Sequence, residues 1–219
     1  MAVAETAGRA RVRKFQAGED PRKRAQILAG AYRVFLDMGF DAASMNDITR
    51  AAGVSKGTIY VYFKSKEELF EALLEQESAR QLSDLAGALE AGAEPAAALG
   101  DFGRRLARLT TSDEIVQVQR TIIAIAARMP ELAQRYYRAG PLAIRTALSA
   151  YLREATRRGT LDCADPARAA LHFIDMAIGA LVRERQYAVA AKPPSAAAIA
   201  QAVDAAAGAF LAAYGPRKI

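Results

Sequence analysis

Apolar positions recur every three or four residues along most of this chain, and no segment alternates with a period of two. That spacing indicates helices rather than strands. Proline also suits the first turn of a helix, because its missing N–H has no partner there. The pattern therefore predicts an all-α protein whose first long helix begins at Pro21 and ends at Gly39. Further helices are predicted over residues 95–109, 113–128, 130–138, 141–158, 166–190 and 195–214.

Two short helices are predicted to meet at a glycine within residues 41–69. Ser44 precedes an apolar-periodic run and Asp47 follows three residues later, which is the arrangement of a capping box. Gly53 follows the run, where a left-handed backbone ends a helix at least cost. Ser55 then begins a second helix over residues 56–63. Helix, tight glycine turn and helix together make a helix-turn-helix unit.

A long helix is predicted to follow, beginning at Ser65 with acids in its first turn and continuing to about Leu89. It is long enough to belong to both halves of the protein. Such a shared helix can convert a shift in one half into a reorientation of the other.

The second helix of the motif differs from its neighbours because it has no acid three residues after its cap. Its first-turn N–H groups are therefore open to an outside anion, and Lys56 is unfavourable there without one. Gly57 lets the backbone approach a ligand closely. We expect a phosphate partner. Hydroxyl and ammonium groups that bind phosphates and base edges lie away from the apolar side, at Thr58, Tyr60, Tyr62 and Lys64.

The positive charge of the chain is concentrated around this motif. Residues 1–66 contain 12 Lys and Arg against 6 Asp and Glu, whereas residues 67–219 contain 18 of each. A basic excess confined to one segment is typical of a surface that binds DNA. A plain helical hairpin with a solvated polar face remains the alternative reading of the motif.

The run MNDITRAAGVSKGTIYVYFKSKEEL, with MGF before it, resembles the DNA-binding domain of TetR-family transcriptional regulators. The resemblance implies a homodimeric regulator, most often a repressor, that binds a palindromic operator and is released by a small-molecule effector. It implies a basic arm over residues 1–20, a DNA-binding domain over 21–66 and an effector-binding and dimerisation domain over 67–219. Tyr60 and Lys56 are expected at base edges, and a lysine at the position of Lys66 commonly binds the DNA backbone in this family. The predicted DNA contacts are Ser44, Thr49, Lys56, Gly57, Thr58, Tyr60, Tyr62, Lys64 and Lys66.

The last two predicted helices carry apolar seams that suit a dimer interface. Burial within one chain explains the same pattern, but the family dimerises through its last two long helices, which favours the interface. The predicted interface residues are Ile174, Ile178, Leu181, Ile199, Val203 and Phe210. Aromatic, Met, His and Arg positions that could line an effector pocket, or equally pack in the core, are Phe102, Arg128, Tyr136, Tyr137, His172, Phe173 and Met176.

Other classes of protein are disfavoured by the residues that the chain lacks. One cysteine excludes an internal disulfide and fits a reducing, cytoplasmic compartment. A hydrolase pair of Cys163 and His172 has no nucleophile-elbow glycines beside it. One histidine excludes a di-iron bundle, and no metal or cofactor is expected. No apolar run approaches 18 residues, so no membrane span is expected. The basic residues of the arm suit either a minor groove or a solvated tail.

Overall fold

The structure describes Gln16, residues 18–90 and residues 92–216, and its helices account for all of the regular structure in that part of the chain. In this computed structural model no strand occurs among the described residues, which confirms the predicted all-α fold. The basic residues of the predicted arm, Arg9, Arg11, Arg13 and Lys14, lie outside the described residues.

The N-terminal helices are α1 (Pro21–Ala42), α2 (Met45–Ala52), α3 (Lys56–Tyr62) and α4 (Lys66–Ala86). Helix α1 begins as predicted, because Asp20 accepts hydrogen bonds from the backbone N–H groups of Arg22 and Lys23. Its regular backbone breaks at Gly39, where φ is 75°, and helical turns resume as far as Ala42. The predicted end of α1 at Gly39 is therefore a kink within the helix, which ends at Ala42.

The C-terminal helices are α5 (Pro95–Thr110), α6 (Asp113–Ile125), α7 (Pro130–Tyr137), α8 (Ala143–Arg157), α9 (Pro166–Gln186) and α10 (Ala196–Tyr214). Four of them begin where the sequence pattern places a helix start, at Pro95, Asp113, Pro130 and Pro166. The predicted helix start at Pro141 is wrong. A π-helical turn, Arg138–Leu142, joins α7 to α8 without a break and contains Pro141. The wider turn accommodates a residue that donates no backbone hydrogen bond.

The chain divides into two units, Met1–Leu69 and Phe70–Ile219. The division falls within the first turn of α4, so this helix is continuous from one unit into the other. In the N-terminal unit the core contains Ile27, Leu28, Ile48, Ile59 and Leu69, each with no more than 2% of its surface exposed. Residues from all four helices thus pack in one small core, as apolar burial requires.

Three phenylalanines form the centre of the C-terminal unit. Phe102 of α5, Phe173 of α9 and Phe210 of α10 are fully buried. The ring centroids of Phe102 and Phe173 are 6.4 Å apart, and those of Phe173 and Phe210 are 5.6 Å apart in an edge-to-face arrangement. Such contacts lock α5, α9 and α10 together.

The apolar seam of α10 faces this core and not a second chain. Ile199, Val203 and Phe210 are at most 3% exposed within the unit, so their predicted place in a dimer interface is wrong.

The sequence-based expectation that no helix could span a membrane did not take α10 into account. By length and composition, Ala196–Tyr214 is apolar enough to cross a membrane, the only such helix among the described residues. One face of the helix packs in the core of the unit, and a single helix of this composition is weak evidence for a membrane span.

Candidate nucleic-acid interface and cavity

Helix α2 begins with the predicted capping box. The backbone N–H of Asp47 donates to Ser44 Oγ at 3.2 Å, and the N–H of Ser44 donates to Asp47 Oδ2 at 3.3 Å. The hydrogen bond from the Ser44 side chain holds the pKa of Asp47 below its usual range. Ser44 is exposed but serves as a cap, so its hydroxyl already has a partner within the motif.

The turn between α2 and α3 has the predicted left-handed glycine. Gly53 has φ 63° and ψ 39°, and the following N–H of Val54 donates to Thr49 O at 3.3 Å. Two side chains of α1 bind the last carbonyl groups of α2, because Gln26 Nε2 lies 2.7 Å from Ala52 O and an Arg33 nitrogen lies 2.6 Å from Ala51 O. Helix α2 and the turn are therefore fixed against α1.

The predicted contact residues on and beside α3 fall into two groups. The exposed residues are Lys56, Gly57, Tyr60 and Lys64. The side chains of the two lysines and of Tyr60 make no hydrogen bond to the residues that the structure describes. Tyr60 is 44% exposed. These groups form one polar surface that is available to a ligand.

The other predicted contacts have partners inside the unit. Thr58 Oγ1 lies 2.7 Å from the Ser55 hydroxyl, and Thr49 Oγ1 donates to Met45 O at 2.6 Å. The Tyr62 hydroxyl accepts a hydrogen bond from the backbone N–H of Asp20 at 3.2 Å. The Tyr62 hydroxyl keeps its proton for a phosphate, whereas Thr49 has donated its only hydroxyl proton to Met45 O and would have to release that bond. The three phosphate contacts stay predictions.

Lys66 differs from all of these residues. Its ammonium donates to three backbone carbonyl groups, Phe40 O at 2.9 Å and Asp41 O and Ala43 O at 3.1 Å each. It also lies 4.7 Å from the centroid of the Phe40 ring. An ammonium has three protons, so no donor is left for a phosphate in this arrangement. A phosphate contact of Lys66 would have to replace one of these hydrogen bonds, and it stays a prediction.

A cavity of about 290 Å³ lies in the C-terminal unit between α4, α7 and the π-helical turn. Its lining residues are Glu71, Leu74, Glu75, Leu132, Arg135, Tyr136, Arg138 and Ala139. Arg135 and Glu71 form an ion pair across the two helices. The wall thus combines apolar surface with a few polar groups, which is typical of small-molecule sites.

Tyr136 is the predicted pocket residue that lines this cavity. Its hydroxyl makes no hydrogen bond to the described residues, and burial raises the pKa of Tyr136 to about 12. The sequence did not single out the other lining residues. Leu132, Arg135 and Tyr136 share one face of α7 by helical spacing, and Ala139 follows in the π-helical turn, but only the fold shows that α4 faces them.

The remaining predicted pocket residues do not meet at this cavity. Phe102 and Phe173 are core residues, and His172 hydrogen-bonds to Tyr214 through Nδ1 at 2.7 Å. Tyr137 and Met176 are 49% and 45% exposed, and Arg128 lies in the loop after α6. Of the predicted set only Tyr136 lines this cavity, because helical periodicity does not distinguish a cavity wall from a surface or from the core, which the sequence left open as the alternative.

Helix α9 carries apolar side chains that are exposed, or only partly covered where they pack against the core. Leu171 and Met176 are 40% and 45% exposed, and the predicted interface residues Ile174 and Leu181 are partly exposed. Ile178, at 9% exposed, is largely covered within the unit. Helix α10 presents an exposed face of small residues, Ala205, Gly208, Ala209 and Ala212.

Cys163 is unsuited to nucleophilic chemistry. It is 2% exposed, and burial raises the pKa of its thiol. A thiolate is the reactive form, so a raised pKa lowers reactivity at neutral pH. The residue packs as a small apolar side chain in the core of the C-terminal unit.

The buried phenol of Tyr136 should make the folded chain less stable at high pH. The folded state holds the phenol proton more tightly than the unfolded state, whose pKa is about 10. The stabilisation is therefore complete below about pH 10 and is lost as the pH rises toward 12. Denaturant unfolding between pH 9 and 11.5 should show a steeper loss for the wild type than for Tyr136→Phe; parallel curves would contradict the burial of this phenol.

Known proteins resemble both units. Residues 27–73 match the family of bacterial regulatory proteins called tetR, and residues 97–216 match the family described as AefR-like transcriptional repressor, C-terminal domain. The transcriptional activator FasR of Mycolicibacterium smegmatis is 46% identical over 54 residues, which are 25% of each chain. The repressor AcnR of Corynebacterium glutamicum is 40% identical over 65 residues, 29% of this chain and 35% of AcnR. The chain spans only about a quarter to a third of the length of these curated relatives.

Two solved structures resemble the chain over most of its length. A TetR-family regulator from Mesorhizobium loti has a TM-score of 0.83 and 29% identity, covering 89% of this chain and 97% of its own. The flavonoid-responsive regulator FrrA has a TM-score of 0.73 and 34% identity, covering 90% of this chain and 99% of its own.

Proposed function

The chain belongs to the TetR family of transcriptional regulators, which are not enzymes, and we propose that it is a cytoplasmic, homodimeric repressor. On this proposal it binds a palindromic DNA operator and leaves it when a small molecule binds the C-terminal unit. The matched C-terminal domain is described as that of a transcriptional repressor, which supports repression over activation.

The observation that carries the proposal is the exposed polar side of α3. The exposed side chains of Lys56, Tyr60 and Lys64 make no hydrogen bond to the described residues, and they lie in the segment of the chain that holds the whole basic excess. Helix α3 has seven residues and is about 10 Å long at about 1.5 Å per residue. That length suits a major groove about 12 Å wide.

Binding to a palindrome requires two copies of this helix at a fixed separation. For helix-turn-helix dimers the separation is about 34–36 Å, one turn of DNA. The outer faces of α9 and α10 support such a dimer. Leu171 and Met176 supply exposed apolar area, and the small residues of α10 allow a second helix to approach closely. We place the interface on these faces instead of on Ile199, Val203 and Phe210.

The cavity beside Tyr136 is our proposed effector site. A largely apolar wall and an unpaired phenol suit an aromatic ligand that carries a hydrogen-bonding group. FrrA is flavonoid-responsive by name, so flavonoids are the first compounds to test. A flavonoid that binds the cavity should raise the melting temperature of the chain and release it from DNA.

Helix α4 is the element that would couple effector binding to DNA binding. Glu71, Leu74 and Glu75 of α4 line the cavity, and the same helix begins at Lys66 in the N-terminal unit. A ligand that favours one position of α4 thereby changes the affinity for DNA. A coupling of about 1–3 kcal/mol, or about 5–150-fold, is typical of such regulation.

Replacing Tyr60 by Ala should change which operator variants bind best. An exposed side chain that reads base edges contributes discrimination of about 1–3 kcal/mol at the bases it contacts. Wild type and Tyr60→Ala are compared on a panel of duplexes obtained by selection from a random pool. The matched control is Lys64→Ala, which should weaken all duplexes alike. If the duplexes keep the same order of affinity for Tyr60→Ala, Tyr60 does not contact base edges.

The rival function is a helical protein that binds a ligand but no DNA. A mobility shift with duplex DNA at several salt concentrations separates the two, because phosphate binding weakens steeply with salt.

A further inference from the structure

We propose that the basic residues of the arm bind the minor groove of DNA next to the major groove that α3 enters. These residues are Arg9, Arg11, Arg13 and Lys14. The proposal rests on the function proposed above. Their composition alone suits either a minor groove or a solvated tail, and the way the chain enters α1 favours the groove.

The end of the arm is fixed against α3. The backbone N–H of Asp20 donates to the Tyr62 hydroxyl at 3.2 Å. A Cβ atom at Gly18 would lie 3.3 Å from Val61 Cγ1, so the glycine backbone packs directly on this side chain. Because Asp20 also caps α1, the chain is held at both α1 and the last turn of α3 within three residues.

A tight turn comes immediately before α1. The backbone N–H of Glu19 donates to Gln16 O at 3.1 Å, and Gly18 has φ 92°, an angle that glycine adopts without steric cost. Any other residue at this position would meet both an unfavourable backbone angle and the Val61 side chain. The turn therefore fixes the point at which the arm reaches α3.

This point lies at the edge of the surface that we propose for DNA. Val61 is 53% exposed, and it directly follows Tyr60, our candidate for base contacts, which is 44% exposed. The arm therefore joins the N-terminal unit beside the helix that would enter the major groove.

The basic residues of the arm lie within reach of the adjacent minor groove. They precede Gly18 by four to nine residues, and an extended chain covers about 13–32 Å over that length at about 3.3–3.6 Å per residue. One turn of DNA is about 34–36 Å, so the centre of the adjacent minor groove is about 17 Å from that of the major groove. The available length includes this distance.

The charge of the arm suits this groove. Residues 1–18 contain four basic residues and a single acid, Glu5. A narrow minor groove has an enhanced negative potential that attracts arginine, and it is narrowest in runs of A·T pairs. G·C pairs also place an amino group there that A·T pairs lack. We therefore expect the arm to prefer A·T pairs beside each half-site.

The first experiment removes two charges from the arm. The double variant Arg11→Ala, Arg13→Ala is compared with the wild type on a duplex selected from a random pool. We expect the slope of log affinity against log salt to fall by about 1–2, and the affinity at 100 mM salt to fall by about 10–60-fold, at about 0.9 in slope for each neutralised phosphate. The matched control, Arg153→Ala with Arg157→Ala, removes the same charge from exposed positions of α8 and should leave the slope unchanged.

The base pairs that flank the half-sites identify the groove. The wild type should bind duplexes with A·T flanks more tightly than duplexes with G·C flanks. Inosine in place of guanine should restore the affinity, because it lacks the minor-groove amino group and keeps the major-groove edge of guanine. The double variant of the arm should bind all three duplexes with equal affinity.

Gly18→Ala tests the anchor while it keeps every charge of the arm. We expect this variant to lose part of the affinity that the double variant loses, because the arm would leave α3 in a different direction. Added to the double variant, the same substitution should have no further effect. Circular dichroism checks that each variant is folded at the temperature of the titration. Wild-type affinity in Gly18→Ala would contradict the anchor and the proposal with it.

Three other results would overturn the proposal. An unchanged salt slope in the double variant would make the arm a solvated tail. An equal loss in the α8 control would assign the effect to net charge alone. A lower slope without any effect of the flanking pairs would place the arm on phosphates outside the minor groove. Failure of the wild type to bind any duplex at low salt would instead refute the proposed function itself.

Discussion

Replacing Gly30 by Val should unfold the N-terminal unit and abolish DNA binding while the C-terminal unit stays folded. Gly30 lies on α1 where α2 crosses it, and a Cβ atom there would lie 2.6 Å from the N, Cα and Cβ atoms of Ala52. These are mostly backbone atoms, so no side-chain rotation relieves the overlap. Overpacking of this kind typically costs about 1–3 kcal/mol and at times more, which is large for a unit of four helices.

The matched control for Gly30→Val is Ala29→Val. Ala29 is the neighbouring residue on the exposed side of α1, so the same side chain there meets solvent. Hydrogen exchange measured by mass spectrometry should show reduced protection across residues 21–62 in Gly30→Val alone, with protection over 95–214 kept. Retained protection over 21–62 in Gly30→Val would contradict the close packing of α1 on α2.

Replacing Arg185 by Met should destabilise the C-terminal unit by about 3 kcal/mol, since a buried carbonyl group left without a donor costs about 1–3 kcal/mol. Arg185 is 4% exposed. Its guanidinium donates to Thr111 O at 3.1 Å and Ala190 O at 2.9 Å, and it pairs with the Asp113 carboxylate. It thereby joins the end of α9 to the start of α6.

Thermal unfolding measures the effect of Arg185→Met. A loss of this size lowers the melting temperature by about 6–12 °C in a unit of this length. Arg157→Met is the control, because Arg157 is 74% exposed at its side chain and pairs with Glu154 one turn away. It should leave the melting temperature unchanged. Equal melting temperatures for the two variants would show that the Arg185 network does not stabilise the unit.

The helix-turn-helix could be predicted in detail because its determinants are local. Ser44 and Asp47 cap a helix within three residues of each other, and Gly53 sets its own backbone angle. These interactions depend on neighbours in the sequence, whatever the rest of the chain does. The same holds for Ser55, which caps α3 as expected.

The sequence could not predict features that depend on which other segment a residue packs against, because the same local pattern is compatible with more than one partner. The spacing of Ile199, Val203 and Phe210 predicts a buried face but not whether the covering helix belongs to the same chain. The hydrogen bonds of Lys66 reach carbonyl groups 23 to 26 residues earlier, which the local sequence does not reveal. The cavity beside Tyr136 likewise depends on how two separate helices pack.

Sedimentation of the purified chain with a duplex selected from a random pool, repeated from 50 to 200 mM salt, tests DNA recognition by a dimer most directly. We expect two chains on each duplex and an affinity that falls by about 10³–10⁵ over this range if 6–10 phosphates are contacted. A single chain per duplex, or no binding even at the lowest salt, would contradict a dimeric DNA-binding regulator.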